Sequence, residues 1–291
     1  MSNTSRPLTP KPDRPVDLLT LRVIGEIQQA ANRLGVPVFV VGAVARIILL
    51  ENIHGLNAGR ATTDVDFAVA LDNWEQFHAI KASLLKNPRF NASEHLAHRL
   101  YFRAPGLAHS YKVDLIPFGG IETNQNTIAC PPDMAIIMNV AGFSDAFAAA
   151  VSVEISPGIE VAVASLPGIA ILKLFAWADR RQENPKDAID LVTLLRSYHE
   201  AGNNNRIYED ASALAALEAV EYDPELAGAW LLGYDAATMA STATVAGLEA
   251  LLNGAAKDRL VEDMSRAMKG REDAMDYAYR LLQQFTKGFT A

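Results

Sequence analysis

The segment ATTDVDFAVALD, residues 61–72, carries two aspartates within a pattern typical of a β-strand. Val65, Phe67 and the alternate residues after them are apolar, which predicts a strand with one buried face. Asp64 and Asp66 are two residues apart, so their carboxylates point to the same side of that strand. Two like charges side by side need a cation or water around them. The pair is therefore either a solvated strand edge or a site for a cation.

A third aspartate lies in a second apolar strand. The run YKVDLIPF, residues 111–118, predicts a strand that carries Asp114 between two apolar residues. If the two strands are neighbours, three carboxylates form a hard oxygen site of the kind that Mg²⁺ occupies together with phosphate groups. Two such ions about 3.5–4 Å apart activate an attacking oxygen and stabilise a leaving oxygen. This set predicts phosphoryl or nucleotidyl transfer, with Asp64 and Asp66 holding both ions and Asp114 completing one.

The residues before the aspartate strand fit a ligand that carries phosphates. The run VFVVGAVAR, residues 38–46, predicts a strand that turns at Gly42 into a helix. A glycine lets the backbone approach a ligand closely, and a helix N-terminus offers amides with a partial positive charge. Thr63 leads directly into Asp64 and can orient it by hydrogen bonding. We therefore expect a nucleoside triphosphate (NTP) at this turn, although a strand, a glycine and a helix also meet in many folds without a ligand.

These motifs together resemble those of a known superfamily. The runs VGAVAR, TTDVDF and KVDLIPF resemble the nucleotidyltransferases typified by DNA polymerase beta. The later run AILKLFAWADRRQENPKDAIDLVTLL, residues 170–195, resembles the AbiEii/AbiGii branch, the nucleotidyltransferase toxins of type IV toxin–antitoxin systems. The resemblance extends over residues 36–196.

The resemblance implies a role for individual residues of this chain. The residues that fall on the family motifs are Gly42 for the phosphate loop, Asp64, Asp66 and Asp114 for the metal, and Lys173, Lys186, Asp187 and Asp190 downstream. It further implies transfer of a nucleoside monophosphate (NMP) from an NTP to an acceptor hydroxyl, on a tRNA 3′ end or a protein, and a cognate antitoxin. One departure is Ala43, where the family usually has Gly or Ser; Ala43 keeps the backbone amide but offers no hydroxyl to a phosphate.

The downstream residues each have a structural alternative. Lys173 lies on a strongly apolar predicted helix, where it either extends its ammonium group into water or directs it at the triphosphate. Asp187, next to Lys186, lies at the start of the following helix, where an acid also stabilises the helix dipole. Asp190 lies one turn further on, where capping no longer helps, and is the better candidate to orient Lys173 or the acceptor. Residues 179–181, Asp-Arg-Arg, are either a solvated helix end or a basic lip for RNA.

The patterns along the chain predict an α+β protein with two domains. Residues 1–15 are rich in Ser, Thr and Pro and predict a flexible tail. Residues 16–164 alternate between strand and helix patterns, which predicts a mixed β-sheet flanked by helices and carrying the catalytic residues. Residues 165–291 predict an all-helical C-terminal domain. The helix and strand patterns include a first helix that ends at Gly35, a helix capped by Ser165, and a late helix capped by Asn184 that ends at Gly202.

Composition limits the possible partners and surroundings. The 291 residues carry a net charge of −8, so the chain as a whole does not favour long nucleic acids. A single cysteine, Cys130, excludes an internal disulfide and a cysteine-based zinc site, and agrees with a reducing cytoplasmic setting. No apolar run approaches the length that crosses a membrane.

Two other functions remain open from the sequence. In the first, the fold is the same but the acceptor is a small molecule such as an aminoglycoside, since an acidic C-terminal domain would attract a cationic substrate. In the second, the chain is a non-catalytic nucleotide-binding or antitoxin-partner module whose active site has decayed. Ala43 is the only residue that supports the second alternative.

Overall fold

The computed structural model describes residues 6–62, 64–104, 110–123, 126–131, 134–182 and 185–291. The chain divides into two compact units. The first, here called the head, comprises residues 1–55 and 60–164, and the second, here called the helical unit, comprises residues 56–59 and 165–291. The strands belong to the head, while the helical unit is built from α-helices.

A mixed β-sheet forms the centre of the head. The strands of the described residues are β1 (Val38–Val41), β2 (Asp64–Leu71), β3 (Phe90–Ala92), β4 (Arg99–Phe102), β5 (Tyr111–Gly119), β6 (Thr127–Cys130), β7 (Ile136–Asn139), β8 (Val151–Ser156) and β9 (Ile159–Val163). Seven of them form one sheet in the order β3-β4-β5-β2-β1-β9-β8, and β6 and β7 form a separate ribbon. Strand β2 pairs in parallel with β5 and antiparallel with β1. The predicted α+β class with a mixed sheet is therefore confirmed.

The predicted alternation of β2 places its apolar residues in the core. Val65, Phe67 and Val69 are completely buried, whereas Asp64 and Asp66, on the other face, are partly exposed. Burial of side chains of this size contributes about 1.5–3 kcal/mol each. The apolar face thus fixes which way the two aspartates point, because a slip by one residue would bury both carboxylates.

The helices of the head follow local sequence signals. Their bounds are α1 (Leu18–Leu34), α2 (Gly42–Ile47), α3 (Trp74–Leu85) and α4 (Phe143–Ala148), with α2 continuing through wider π-helical turns over Ile48–Ile53. Asp17 caps α1 by accepting from the amides of Leu19 and Thr20, and Gly35, at φ 64°, ends it as predicted. Asn73 caps α3 by accepting from the amide of Gln76.

The N-terminal segment is bonded to the head where the sequence predicts a flexible tail. Leu8 bridges to Val153 in parallel, and its amide donates to the carbonyl of Ser152 at 2.9 Å. Lys11 donates from its backbone amide to the carbonyl of Asn52 and from Nζ to the carbonyl of His54. Residues 8–11 thus extend the β8 edge and cover the end of the helix that begins at Gly42, although they belong to the segment 1–15 that is rich in Ser, Thr and Pro.

The helical unit consists of helices in its described residues. Their bounds are α5 (Leu166–Arg180), α6 (Lys186–Ser197), α7 (Arg206–Glu209), α8 (Ala211–Ala219), α9 (Pro224–Met239), α10 (Thr242–Asn253), α11 (Lys257–Ser265) and α12 (Ala274–Phe289), with a 3₁₀ turn over Arg266–Met268. Ser165 caps α5 as expected, because its Oγ accepts from the amide of Gly168 at 3.3 Å. Within the described part of the chain, no helix is long and apolar enough to cross a membrane.

The predicted limits of α6 differ from the structure at the C-terminal end. The predicted cap, Asn184, lies outside the described residues. The helix ends at Ser197 and not at the predicted Gly202. The amide side chain of Asn203 turns back and donates to the carbonyls of Tyr198 and Ala201. These hydrogen bonds replace helical ones, so the chain leaves the helix five residues early.

Candidate functional site

The registers of three neighbouring strands bring charged residues into one row. Asp66 on β2 pairs with Asp114 on β5, and Asp114 pairs with Arg99 on β4. Residues directly opposite one another in a sheet project to the same face. One step along the same face, Asp64 pairs with Lys112. We call these five residues the acid row, because its three carboxylates outnumber its two cations.

Gly42 lies directly against the acid row. Val41 at the end of β1 pairs with Asp66, and the chain then enters α2 through Gly42 at φ +69°. A Cβ at Gly42 would collide with Asp66 Oδ2 and lie 3.2 Å from its Cγ. The position therefore needs glycine twice, for the left-handed backbone and for the approach of the carboxylate. The predicted neighbourhood of the glycine turn and the second aspartate is present, and the next residue, Ala43, is buried.

Asp64 lies at the outer end of β2, where water reaches it. Lys112 Nζ is 3.6 Å from Asp64 Oδ1, and the two side chains are 44% and 39% exposed. A pair this exposed contributes little to stability, about 0–1 kcal/mol. The hydroxyl of Thr62 accepts from the Asp64 amide at 3.1 Å and so fixes the start of the strand. Thr63, which the sequence predicts at the nucleotide, lies outside the described residues.

Asp114 is held by an arginine from the neighbouring strand. Arg99 donates from Nε to Asp114 Oδ1 and from Nη2 to Oδ2, each at 2.7 Å. The side chains are only 24% and 14% exposed. Hydrogen bonding to Asp114 raises the pKa of Arg99, against an opposing effect of burial. Such a bidentate pair is stronger and more directional than an ordinary surface ion pair.

These contacts decide how far the row suits the expected metal. Among the residues with described positions, no group of three or more His, Cys, Asp or Glu side chains is arranged to hold an ion. Asp64 and Asp66 fit a divalent cation, because they offer carboxylate oxygens from one partly exposed strand face. Asp114 fits only if Arg99 leaves it, since the guanidinium bonded to both of its oxygens would place a positive charge beside the ion. The three-acid metal site thus stays a prediction, with Asp114 as its conditional member.

Sequence reasoning missed the two cations of the row. Arg99 alternates with buried Leu100 in the short β4 segment, and Lys112 lies two residues before Asp114. Both signals show a strand with one polar face. They do not show which residues lie opposite the acids, because that depends on the register between strands. The register became visible only in the structure.

The predicted downstream residues form a second charged cluster, within the helical unit. Lys173 on α5 donates to Asp187 Oδ1 at 2.8 Å and lies 2.6 Å from Asp190 Oδ2. Arg180 binds Asp187 through Nε at 2.8 Å and Nη2 at 3.1 Å. We call these four residues the buried cluster, because the side chains of Lys173, Asp187 and Asp190 are at most 8% exposed. The ammonium of Lys173 lies between two carboxylates and does not extend into water. The other alternative, in which it is directed at the triphosphate, stays a prediction.

The charges of the buried cluster balance. Burial raises the pKa of Asp187, but the charges and hydrogen bonds of Lys173 and Arg180 outweigh it, so the pKa is lowered overall. Asp190 holds Lys173 from one turn further along α6, the orienting contact that the sequence predicts for it. Whether the cluster also serves a nucleotide stays a prediction. Lys186, beside it, is exposed.

The possible basic lip at residues 179–181 is not a set of uncommitted cations. Arg180 is bonded to Asp187. Arg181 lies with its guanidinium 5.4 Å from the centre of the Trp177 ring, a cation–π contact. The helix end thus uses both arginines to hold its own unit together.

The site combines two aspartates on one strand of a mixed sheet, a third on the parallel neighbour, and a glycine turn against them. This arrangement is that of the nucleotidyltransferases, the class that the motifs suggest. The chain belongs to the family described as nucleotidyl transferase AbiEii toxin, type IV TA system, whose model matches residues 48–280. The match spans about four-fifths of the 291 residues, including all three aspartates of the row and the buried cluster. It begins after Gly42 and Ala43. The chain is therefore a transferase of the nucleotidyl-transferring kind.

Solved structures offer more distant likenesses. An antigenic nucleotidyltransferase-like protein from Paracoccidioides brasiliensis is 18% identical, over 72% of this chain and 94% of that one, with a TM-score of 0.41. The antibiotic-resistance factor ANT(2″)-Ia is 14% identical, over 71% and 99%, with a TM-score of 0.36. A CCA-adding enzyme in complex with ATP is 12% identical, over 94% and 67%, with a TM-score of 0.33. TM-scores this low do not establish a shared fold, and no curated protein matches the chain by sequence.

Proposed function

We propose that this protein transfers an NMP from an NTP to an acceptor hydroxyl in a reaction that depends on Mg²⁺. The observation that carries the proposal is the contact between Gly42 and Asp66 at the centre of the acid row. Carboxylates that lie side by side on one strand and opposite one another on the next repel each other, and a bound cation relieves that repulsion. A glycine that lets a carboxylate approach the start of a helix costs backbone entropy. Both costs make sense if cations and phosphates bind there.

The residues of the head would divide the work of binding and positioning. Asp64 and Asp66 would hold the divalent cations, with Asp114 adjacent to them on β5. When bound, Mg²⁺ would neutralise phosphate charge and lower the pKa of the attacking hydroxyl. Gly42 and the backbone amide of Ala43 would accommodate the triphosphate. Lys112, at the exposed end of the row, is placed to attract phosphate from solvent.

The residues of the buried cluster have a less direct proposed role. Lys173, with Asp187 and Asp190 around it, is proposed to contribute positive charge to the nucleotide, and Lys186 extends from the same helix start. In the free protein the ammonium of Lys173 is shared between two carboxylates. A group already neutralised in this way stabilises a triphosphate weakly unless an acid releases it. We therefore assign to positioning, and not to bond making, the residues Lys173, Lys186, Asp187 and Asp190.

The family supports the proposed acceptor and antitoxin partner, and the geometry does not bear on them. We propose a hydroxyl of a tRNA 3′ end or of a protein as acceptor, and a cognate antitoxin that limits the activity in the cell. The net charge of −8 argues against extended RNA contacts. So do Arg180 and Arg181, because the first is bonded to Asp187 and the second lies against Trp177. A compact RNA end is compatible with both observations.

The test is transfer of label from NTP to each kind of acceptor. The protein is incubated with each α-labelled NTP, Mg²⁺ and either total RNA, total protein or an aminoglycoside mixture, and the products are separated. We expect label on one macromolecular fraction, and Asp66→Asn to lower it by about a thousandfold or more, since a metal-binding carboxylate acts chiefly in the transition state.

A matched control variant is available just beyond the same strand. Asp72, the residue after the end of β2, is exposed, and its Oδ2 accepts from Nε2 of Gln76 at 3.2 Å. Asp72→Asn removes the same charge and should label at the wild-type level. Equal labelling by wild type and Asp66→Asn would refute the proposed metal site, while label only on the aminoglycoside would replace the macromolecular acceptor.

A further inference from the structure

Arg99 donates a hydrogen bond to each oxygen of the third carboxylate of the row. Its two guanidinium nitrogens reach both oxygens of Asp114 at 2.7 Å, and the pair is mostly withdrawn from water. The pKa of Arg99 is raised chiefly by its hydrogen bonds to Asp114 and to a smaller extent by the negative charge of Asp64. The guanidinium therefore lies beside the oxygens that Asp114 would offer to a cation.

The backbone holds Arg99 in this place. Strand β4 pairs with β3 on one side and β5 on the other. The Arg99 amide donates to the carbonyl of Leu96, and its own carbonyl accepts from the amide of Ser93. With the Cα fixed on both sides, only rotation of the long side chain can move the guanidinium. Leaving Asp114 thus requires no change of fold.

Arg99 and a divalent cation exclude one another at Asp114. A carboxylate has lone pairs enough for an arginine and a metal ion. A dication on Asp114 would nevertheless lie within about 4–5 Å of the guanidinium charge, where like charges repel strongly in a partly buried site. The more stable arrangement separates them, with the metal on the carboxylate and the guanidinium on an anion.

We propose that Arg99 is a positioning residue that competes with the divalent cation for Asp114 and, once displaced, binds a phosphate of the incoming nucleotide. The inference rests on the proposed function and deepens it. The row then takes up metal fully only together with a nucleotide, because the phosphates give the guanidinium a new partner. Without nucleotide, the metal must compete with Arg99 for Asp114. Without metal, the phosphates of the nucleotide are repelled by the carboxylates of the row.

The first test measures metal binding without nucleotide. Free Mn²⁺ is titrated by electron paramagnetic resonance against wild type, Arg99→Met and Arg103→Met. Arg103 is the matched control, since it is exposed, bonds to Ser110 and lies about 13 Å along the chain from Arg99. We expect Arg99→Met to bind Mn²⁺ about tenfold more tightly than wild type or more, and Arg103→Met to match wild type. The additional change Asp114→Asn should abolish the gain.

The second test measures the nucleotide in the presence of Mg²⁺. Calorimetry with non-hydrolysable analogues of the four NTPs should show Arg99→Met binding the preferred analogue about tenfold more weakly than wild type or worse. The two effects of one substitution then have opposite signs. A residue that only supported the sheet would weaken both kinds of binding.

The possible results distinguish a failure of the competition at Asp114 from a failure of the proposed function. Unchanged or weaker Mn²⁺ binding by Arg99→Met, with a normal circular dichroism spectrum, overturns the competition. If Arg99→Met does not fold, Arg99→Gln carries the same test, because it is neutral and keeps one hydrogen bond to Asp114. Wild type that binds no Mn²⁺ even with nucleotide overturns the proposed function, and this inference with it.

Discussion

The protein contains two groups of oppositely charged residues that differ in balance and exposure. The buried cluster of the helical unit has two acids and two bases, and three of its side chains are at most 8% exposed. The acid row of the head has three acids and two bases, and its outer pair is about two-fifths exposed. A buried group leaves little room for a ligand, whereas an accessible one can still be reached from solvent. We therefore propose a mainly structural role for the buried cluster and ligand binding for the acid row.

The strongest test of the comparison is to remove the ammonium from the buried cluster. Lys173→Met should lower the free energy of unfolding by about 3–5 kcal/mol, because Asp187 and Asp190 lose a partner and remain buried. Urea denaturation followed by circular dichroism measures it. Lys269→Met, on an exposed turn, is the control and should stay within about 0.5 kcal/mol of wild type. A loss below about 1 kcal/mol for Lys173→Met would show that the cluster does not hold the helices together.

An intermediate effect is expected at the glycine turn of the acid row. Gly42→Ala should lower the free energy of unfolding by about 1–2 kcal/mol through left-handed backbone alone, and should cost more through its collision with Asp66. Nucleotidyl transfer should fall by about tenfold or more, since Asp66 must move.

A second glycine separates the two causes at Gly42. Gly158 has φ +78°, and a Cβ there would meet nothing within 4 Å. Gly158→Ala should therefore show the backbone cost and retain full activity. If the two variants lose the same stability and both stay active, the contact between Gly42 and Asp66 has no functional weight.

The smallest expected effect is a dependence of stability on pH. The pKa of Asp187 is lowered in the folded protein, so its ion pairs stabilise the protein above the pKa of the unfolded chain, about 3.9, and this stability is lost as pH falls through the lower folded value. The stability advantage of wild type over Asp187→Asn should be constant between roughly pH 5 and 7, where Asp187 is ionised in both states, and should shrink below about pH 4. Urea melts at several pH values would show it, and an advantage that grew with acid would reverse the assigned sign.

Local signals in the sequence predicted most elements that position the site. Gly35 ended α1, Ser165 capped α5, and the apolar alternation around Asp64 and Asp66 defined β2 and its polar face. Each of these depends on residues within a few positions of one another, so the chain encodes them locally. The resemblance to the AbiEii branch was carried by motifs of the same local kind.

The parts that escaped prediction depend on contacts that hydrophobic periodicity and capping patterns do not reveal. Arg99 acquires its meaning from the register between β4 and β5, and no residue near it in sequence announces that pairing. The early end of α6 depends on the side chain of Asn203, which donates to the carbonyl of Tyr198, five residues before it. The bonding of Lys11 to the carbonyl of His54 likewise joins segments far apart in the chain. Pairing between distant segments decided the first and the third, and a local side-chain hydrogen bond decided the second.

The most direct measurement is a crystal structure of the wild-type protein with Mn²⁺ and a non-hydrolysable NTP analogue, using the anomalous signal of manganese. The account predicts an anomalous peak bounded by Asp64, Asp66 and Asp114, with Arg99 turned from Asp114 to a phosphate oxygen. Well-defined nucleotide density without manganese at these carboxylates, or manganese bound while Arg99 still grips Asp114, would contradict it.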